Sequence, residues 1–440
     1  MPIRTGFLRR ALLAASVLLA AALAPAGASA GSIDIIHAFC TPSCGNGYSP
    51  AQPLARDASG NLFGVTAGGT QGLGVVYELI PSPRGRWKYQ VLHYFCAKNG
   101  CVDGSVPDGA LVIDGAGNLY GMAQGGGTGN DAGLIFELSP TSKPKRWNYR
   151  VVYNFCSAFG GSCRDGKVPS GGLTYQGAQS GALYDGVSPL YGVTQQGGRR
   201  FAGVVFSVQP HAGAWVELVI YPFCVKTCTG GSHPTVRPTF DGAGNLYGVT
   251  SSGGSTGNGA VYKLSPQAPP SGWTLSVLHT FCAQANCEDG GGFASSLVMD
   301  AAGNLFGTTE YGGTNAGCRS DQGCGVLYEI AADGTEKTLY DFCQLANCTD
   351  GWAPVDNGGL VLDAAGEIVG TAANGGANGE GVVFKVAGGS YQVVHDFCAQ
   401  ACADGGEPLA GLITDPAGTL YGTTNVRGGV LGGAAFALTP

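Results

Sequence analysis

The stretch Trp273 to Phe281 alternates apolar and polar positions. Trp273, Leu275, Val277, His279 and Phe281 fall on one side, and Trp87, Tyr89, Val91, His93 and Phe95 repeat the pattern. A period of two is that of a strand with one buried face, so each set is expected to share a face. Shorter apolar runs such as AVYKL (260–264) and VLYEI (326–330), each preceded by glycine, read as further strands. "SLVMD" (296–300) and "NLFGTT" (304–309) meet at Asp300-Ala-Ala-Gly-Asn304. There Asp and Asn supply local side-chain bonds and Gly a positive φ, which predicts a hairpin turn. No segment sustains a helical period, so the fold class expected is all-β.

These runs recur. DASGNLFG at 57 returns as DGAGNLYG at 114, DGVSPLYG at 185, DGAGNLYG at 241, DAAGNLFG at 300, DAAGEIVG at 363 and DPAGTLYG at 415, with a spacing of 52 to 71 residues. The third copy follows an insertion near Gln176 to Ala182. A Gly-Gly loop, a short apolar strand and the alternating strand ending in Phe-Cys follow each phrase. Tandem units of four antiparallel strands bury their faces on one another, which predicts a seven-bladed β-propeller. The blades are expected at about 51–96, 107–156, 168–224, 235–282, 294–343, 356–398 and 409–440. The isolated fourth-strand sequence IDIIHAFC (33–40) is expected to complete the last blade beside AAFAL (434–438).

Composition refines this picture. Arg4, Arg9 and Arg10 precede an apolar run, Ala11 to Ala24, and Ala28-Ser29-Ala30, so residues 1–30 read as a secretory signal and 31–440 as one domain. The run is shorter than the roughly 20 residues that a spanning helix needs. An exported protein, extracellular or periplasmic, is expected, with no membrane span and as a monomer. Loss of the signal leaves 20 basic and 30 acidic residues, a formal charge of −10, which argues against a nucleic-acid partner.

Sixteen cysteines form eight close pairs. Seven follow the Phe residues: Cys40 with Cys44, Cys96 with Cys101, Cys156 with Cys163, Cys224 with Cys228, Cys282 with Cys287, Cys343 with Cys348, and Cys398 with Cys402. The eighth, Cys318 with Cys324, stands within one Gly-Gly loop. An even count at a fixed place in an exported repeat predicts local disulfides. Zinc would need four ligands from two blades and finds no CxxC or HExxH, and a redox role would want a CxxC at a helix start. Neither metal nor cofactor is expected.

Candidate chemistry is sparse. His37, His93, His279 and His395 share a column with Tyr153, Tyr221 and Tyr340, three residues before each Cys, which suits packing between blades rather than catalysis. Trp87, Trp147, Trp215 and Trp273 form another such column. Gly253-Gly-Ser255-Thr-Gly257 matches a nucleophile elbow but stands in a Gly-Gly loop, not between strand and helix. Asp103, Asp165, Asp289, Asp350 and Asp404, with Asn46 in the first unit, read as Asx turns opening each new blade; calcium would need more convergent oxygens. Four-stranded blades place the stapled loops and the Gly-Gly loops on one face. That face carries the irregular residues Arg199, Arg200, Tyr311, Arg319, Asp321, Trp352 and Arg427, the candidate ligand contacts.

The phrase G-N-L-[YF]-G-x-T, then Gly-Gly, then G-x-V-[FY]-x-L, resembles the GloVer tandem repeat of exported bacterial proteins, the choice-of-anchor group. The likeness spans 33–440, with GVTSSGG and AVYKL at 248–264 a close match. It implies a secreted β-propeller of unestablished activity and supplies no catalytic residues. Two departures stand out. The loops after Phe carry sulfur where the family looks Gly-rich, and no anchor segment follows Leu438, which suggests release. A binding module for a glycan, surface component or protein is the function expected first. A lyase or hydrolase acting on a saccharide or cyclic ester is the alternative, and a matrix protein a third. A His with two carboxylates in hydrogen-bond reach on the stapled face would favour the enzyme. The sulfur reading has a direct check: intact-mass analysis of the mature protein should find no free thiol, and stoichiometric zinc would refute it.

Overall fold

The computed structural model describes Met1 and residues 32–439, apart from 42–43, 70–72, 84, 129, 144, 158–161, 269–271, 316, 319–321, 355–358, 400 and 429–431. The signal segment, Arg319 and Asp321 lie outside the described residues. What is described is all-β, interrupted only by three-residue 3-10 turns.

The fourth repeat shows how the sequence builds a unit. Leu246–Ser252, Ala260–Pro266 and Trp273–Thr280 pair antiparallel in order, and the inner edge is a broken strand, Ser232–Pro234 and Thr239–Phe240. The DxxGN turn closes as its chemistry dictates. Asp300 Oδ1 accepts from the Ala302 and Asn304 amides at 2.9 and 2.8 Å, and Asn304 Nδ2 donates to Oδ2 at 2.9 Å.

Six hydrogen-bonded sheets result. One has eight strands, because the inner strands Ser105–Ile113 and Lys167–Thr174 of two units touch through a parallel bridge, Gly172 to Ala110. At this point a Cβ on Gly109 would lie 2.1 Å from the Gly172 amide nitrogen. The terminal sheet takes its outer strand from the start of the chain: Ser32–Ala38 pairs antiparallel with Ala434–Thr439, Ile33 opposite Leu438 and Ile35 opposite Phe436.

The core lies between sheets, and one motif makes it. The Gly of each NLYG phrase has no side chain because the aromatic ring of the next strand crosses it; a Cβ on Gly248 would sit 2.4 Å from Tyr262 Oη. That ring meets the Phe of the preceding Phe-Cys edge to face. Phe39–Tyr77, Phe95–Phe136, Phe155–Phe206, Phe223–Tyr262, Phe281–Tyr328, Phe342–Phe384 and Phe397–Phe436 all have centroids 5.1 to 5.3 Å apart. Each contact joins one repeat to the next, and Phe39, carried by the terminal sheet, joins it to the first. All seven Phe rings are at most 1% exposed. Such aromatic pairs add about 0.5–1.5 kcal/mol beyond the area they bury.

Two expectations need correction. Every fourth strand contains a β-bulge three or four residues before its Phe, for example where Tyr77 pairs with Val91 but Val76 with His93. The extra residue switches the side the chain presents. Trp87, Tyr89 and Val91 therefore pack toward the preceding sheet, whereas Leu92 and Phe95 pack toward the following one. The five do not share a face. The Trp column follows this rule: Trp147 packs edge-on to Phe63 and Trp87 to Tyr421, in the sheet before. Of the inner strand "SLVMD" only Val298–Met299 forms a strand, a separate piece, Gly291–Ala294, preceding it.

Phe281→Ala should cost about 3–5 kcal/mol, the usual penalty for emptying a full aromatic site, and Gly248→Ala about 1–3 kcal/mol through overpacking. Urea denaturation of each variant measures both; a loss under 1 kcal/mol for Phe281→Ala would show that the inter-sheet contact is dispensable.

Candidate functional site

The eight disulfides are the local pairs read from the sequence, from Cys40 with Cys44 in the first loop to Cys398 with Cys402 in the last, and Cys318 with Cys324 in the Gly-Gly loop. Most hold an unusual backbone. Cys96 and Cys101, Cys282 and Cys287, Cys343 and Cys348, and Cys398 and Cys402 all have φ between 50° and 63°, a region that L side chains avoid at a cost of roughly 1–2 kcal/mol each.

The staples are not all alike. Cys228, unlike its partner Cys224, stays out of the positive-φ region, and Cys44 opens the 3-10 turn Cys44–Asn46, where it is exposed. Neither Cys318 nor Cys324 has a positive φ either. Cys324 is 1% exposed and belongs to the apolar cluster of Phe342 and Phe384, so this eighth bridge is a core contact as well as a loop closure. The Sγ atoms of Cys318, Cys343 and Cys348 lie within 4.8 Å of one another, each engaged in a disulfide.

In five of the loops an acidic residue behind the second Cys supports the same loop. Asp289 accepts from the amides of Ala283 and Gln284 at 2.9 and 3.1 Å, and Asp350 from Gln344 and Leu345 at 2.8 and 3.2 Å. These carboxylates do not open the next blade as Asx turns. They reach back across the staple. Oδ2 of each also faces the His/Tyr column: His279 Nε2 is 3.1 Å and His395 Nε2 2.9 Å from the carboxylate, and Tyr153 and Tyr340 donate to theirs at 2.8 and 2.6 Å. The ring is then covered by the next repeat, His93 stacking on Tyr149 at 3.8 Å and Tyr340 on Tyr391 at 3.9 Å.

Burial pushes His37 and His93 down to about 4, although Asp103 pulls His93 the other way, and it lowers His279 against the opposing pull of Asp289. Glu217, in the third repeat, is pushed up to about 8 by burial and then by Asp165. Each described His that meets a carboxylate meets one within 4.0 Å, not two, and is enclosed by the fold. The elbow-like Gly253 to Gly257 turn runs on into the strand Ala260–Pro266, not into a helix.

Stapled loop and Gly-Gly loop are fused by a recurring bond. The amides of Gly127, Gly198, Gly254, Gly313, Gly376 and Gly428 donate at 2.9 to 3.1 Å to the carbonyls of Cys101, Cys163, Cys228, Cys287, Cys348 and Cys402. On these loops Arg199 and Arg200 are exposed, as are Phe201 (62%) and Leu345 (56%). Arg427 is ion-paired with Glu380, and its Nη1 lies 3.6 Å from Cys402 Sγ. Tyr311 and Trp352 are half-buried, Trp352 against the core beside Cys348.

On the inner strands, sequence reasoning missed Asp108 and Arg237. Asp108 accepts from Gln52 Nε2 at 2.7 Å, Ser170 Oγ at 2.8 Å and the Gly171 amide at 2.9 Å, binding three repeats together. Burial raises its pKa despite these bonds. Its signal was the one Asp in a column otherwise reading Ala51, Ser170 and Thr235. Beyond it, the inner strands line a cavity of about 530 Å³ with residues from all seven repeats, among them Leu54, Leu111, Leu173, Phe240, Leu297, Leu360 and Leu412, and two arginines, Arg56 and Arg237.

Comparison with known proteins adds a family match. The model of the Gloeobacter/Verrucomicrobia repeat matches residues 25–188. No curated protein matches. Among solved structures, a luciferin-regenerating enzyme is 10% identical, covering 93% of this chain and 95% of its own, with a TM-score of 0.40. A putative glucose dehydrogenase-type oxidoreductase from Thermus thermophilus is 12% identical (93% and 99%, TM-score 0.39), and a Trypanosoma rangeli sialidase 10% identical (82% and 57%, TM-score 0.37).

The buried rings set a pH dependence. The unfolded chain protonates His37 and His93 near 6.5 and the folded one only near 4. Their stabilisation is therefore complete above about 6.5 and is lost as pH falls toward 4, by roughly 2 kcal/mol per ring at pH 5. His93→Tyr, the residue found in other repeats, should remove one ring's share from the difference in urea midpoint between pH 7 and pH 5. An unaltered difference would mean that His93 protonates freely in the fold.

Proposed function

We propose that this chain is a member of the Gloeobacter/Verrucomicrobia repeat family and an exported, monomeric seven-bladed β-propeller, residues 31–440 forming one domain, that binds a glycan, surface component or protein through its stapled face. The seven-blade reading is supported by the seven equivalent Phe–aromatic contacts, by the first strand completing the terminal sheet, and by a central cavity to which every repeat contributes. Export is supported by eight disulfides, which persist in oxidising compartments, and no helix among the described residues is long and apolar enough to cross a membrane.

One observation carries the binding reading. The repeated Gly N–H to Cys carbonyl bond makes the stapled loop and the Gly-Gly loop one pre-ordered surface, which leaves the guanidinium groups of Arg199 and Arg200 and the ring of Phe201 in solvent. A rigid surface loses little entropy on binding, and exposed arginine with aromatic side chains suits interface hot spots. The His and Asp groups that chemistry would need are meanwhile committed to holding the loops.

A glycan array probed with the mature protein tests the proposal. Binding to an array polymer, weakened at least tenfold by Arg199→Ala with Arg200→Ala at an unchanged melting temperature, is expected. Turnover of a saccharide or cyclic ester without a retained complex would replace this reading with the enzymatic one.

A further inference from the structure

The cavity among the inner strands carries an inference independent of the stapled face. Its charge is at odds with the chain. The protein is acidic, with 30 acidic against 23 basic residues, yet among the described residues the cavity wall contains Arg56 and Arg237 and no Asp or Glu. Most of the remaining wall is aliphatic, from residues such as Leu111, Ile113, Leu297 and Leu412.

Arg237 is the more unusual of the two. Its position in the inner strand is held by small residues elsewhere, Pro53, Ala110, Gly172 and Ser296. No carboxylate among the described residues forms an ion pair with its guanidinium, and no hydrogen bond from it to a described residue is formed. Tyr175 shares the cavity wall, and its own hydroxyl donates to the Ala182 carbonyl. Half-buried in a mainly apolar wall, the Arg237 guanidinium has no anion among the described residues to hold. Arginine is also the side chain best shaped to take a carboxylate in two parallel bonds.

The insertion of the third repeat belongs to the same place. Ala178, Gln179, Ala182 and Leu183, which interrupt the repeat pattern, line the cavity while Gln179, Ala182 and Leu183 remain exposed, so they form its rim. At the other end of the inner strands the Asp108 network with Gln52 and Ser170 ties the backbones together. A volume of about 530 Å³ lies in the range of small-molecule sites.

We propose that this cavity binds a small organic carboxylate, its apolar body against the inner-strand aliphatic side chains and its anionic head on Arg237, admitted past the third-repeat insertion. Titration calorimetry on the mature protein with benzoate, and with benzamide as the uncharged counterpart, tests it. Benzoate should bind and raise the melting temperature, benzamide should bind at least tenfold more weakly, and Arg237→Met should lose the preference while Arg237→Lys retains part of it. Equal binding of the two probes to the wild-type protein, or no binding of either at millimolar concentration, overturns the proposal whether or not the variants fold. An undiminished preference for benzoate in Arg237→Met overturns it as well.

Discussion

The structure depends on a ring crossing a glycine. Where a strand-three aromatic such as Tyr262 lies over Gly248, it fills the space a side chain would take and presents its face to Phe223 of the preceding repeat. A single unit cannot complete this stack, since the glycine and the first ring come from one repeat and the Phe from its neighbour. Folding is thereby tied to the array, as in other tandem architectures whose units bury their faces only on one another. Phe39 extends the rule to the chain ends: it sits beyond the strand that pairs with Ala434–Thr439, yet it packs on Tyr77 of the first repeat.

The bulge in each fourth strand makes this arrangement possible. One outer strand must touch two neighbours, the sheet before through Trp87 and Tyr89 and the sheet after through Phe95. A regular strand presents alternate residues to fixed sides and cannot redirect a run of apolar residues midway. An inserted residue does so and also tightens the local twist. Past the bulge the chain turns into the stapled loop, where most of the cysteines adopt positive φ. The disulfide, the carboxylate reaching back to two amides and the Gly-Gly bond together hold a backbone that would otherwise require glycine.

This shared construction explains why the histidines are poor candidates for catalysis. Their column alternates with tyrosine because both rings can stack on the next repeat and donate to the same Asp, as Tyr153 does to Asp165 and His395 does to Asp404. Chemistry or recognition falls instead to positions that break the repeat. Arg199, Arg200 and Phe201 do so on the stapled side, and Arg237, Asp108 and the third-repeat insertion do so around the inner strands.

The sequence by itself determined the all-β class, the seven copies, the local disulfides and the pairing of the chain ends, because all of these are short-range or periodic. Two-residue alternation, DxxGN turns and cysteines four to seven residues apart need no knowledge of the rest of the chain. Tertiary structure alone decided which side of the outer strand faces which neighbour, since a bulge adds a residue without changing the composition around it. It also decided that Cys44 lies in solvent while Cys324 joins the core, a difference that equal spacing conceals. The surroundings of Arg237 and Asp108 were likewise its decision. Arg237, Leu111 and Leu412 become neighbours of one cavity only when inner strands from distant repeats converge, and no local pattern encodes the absence of an anion beside a cation.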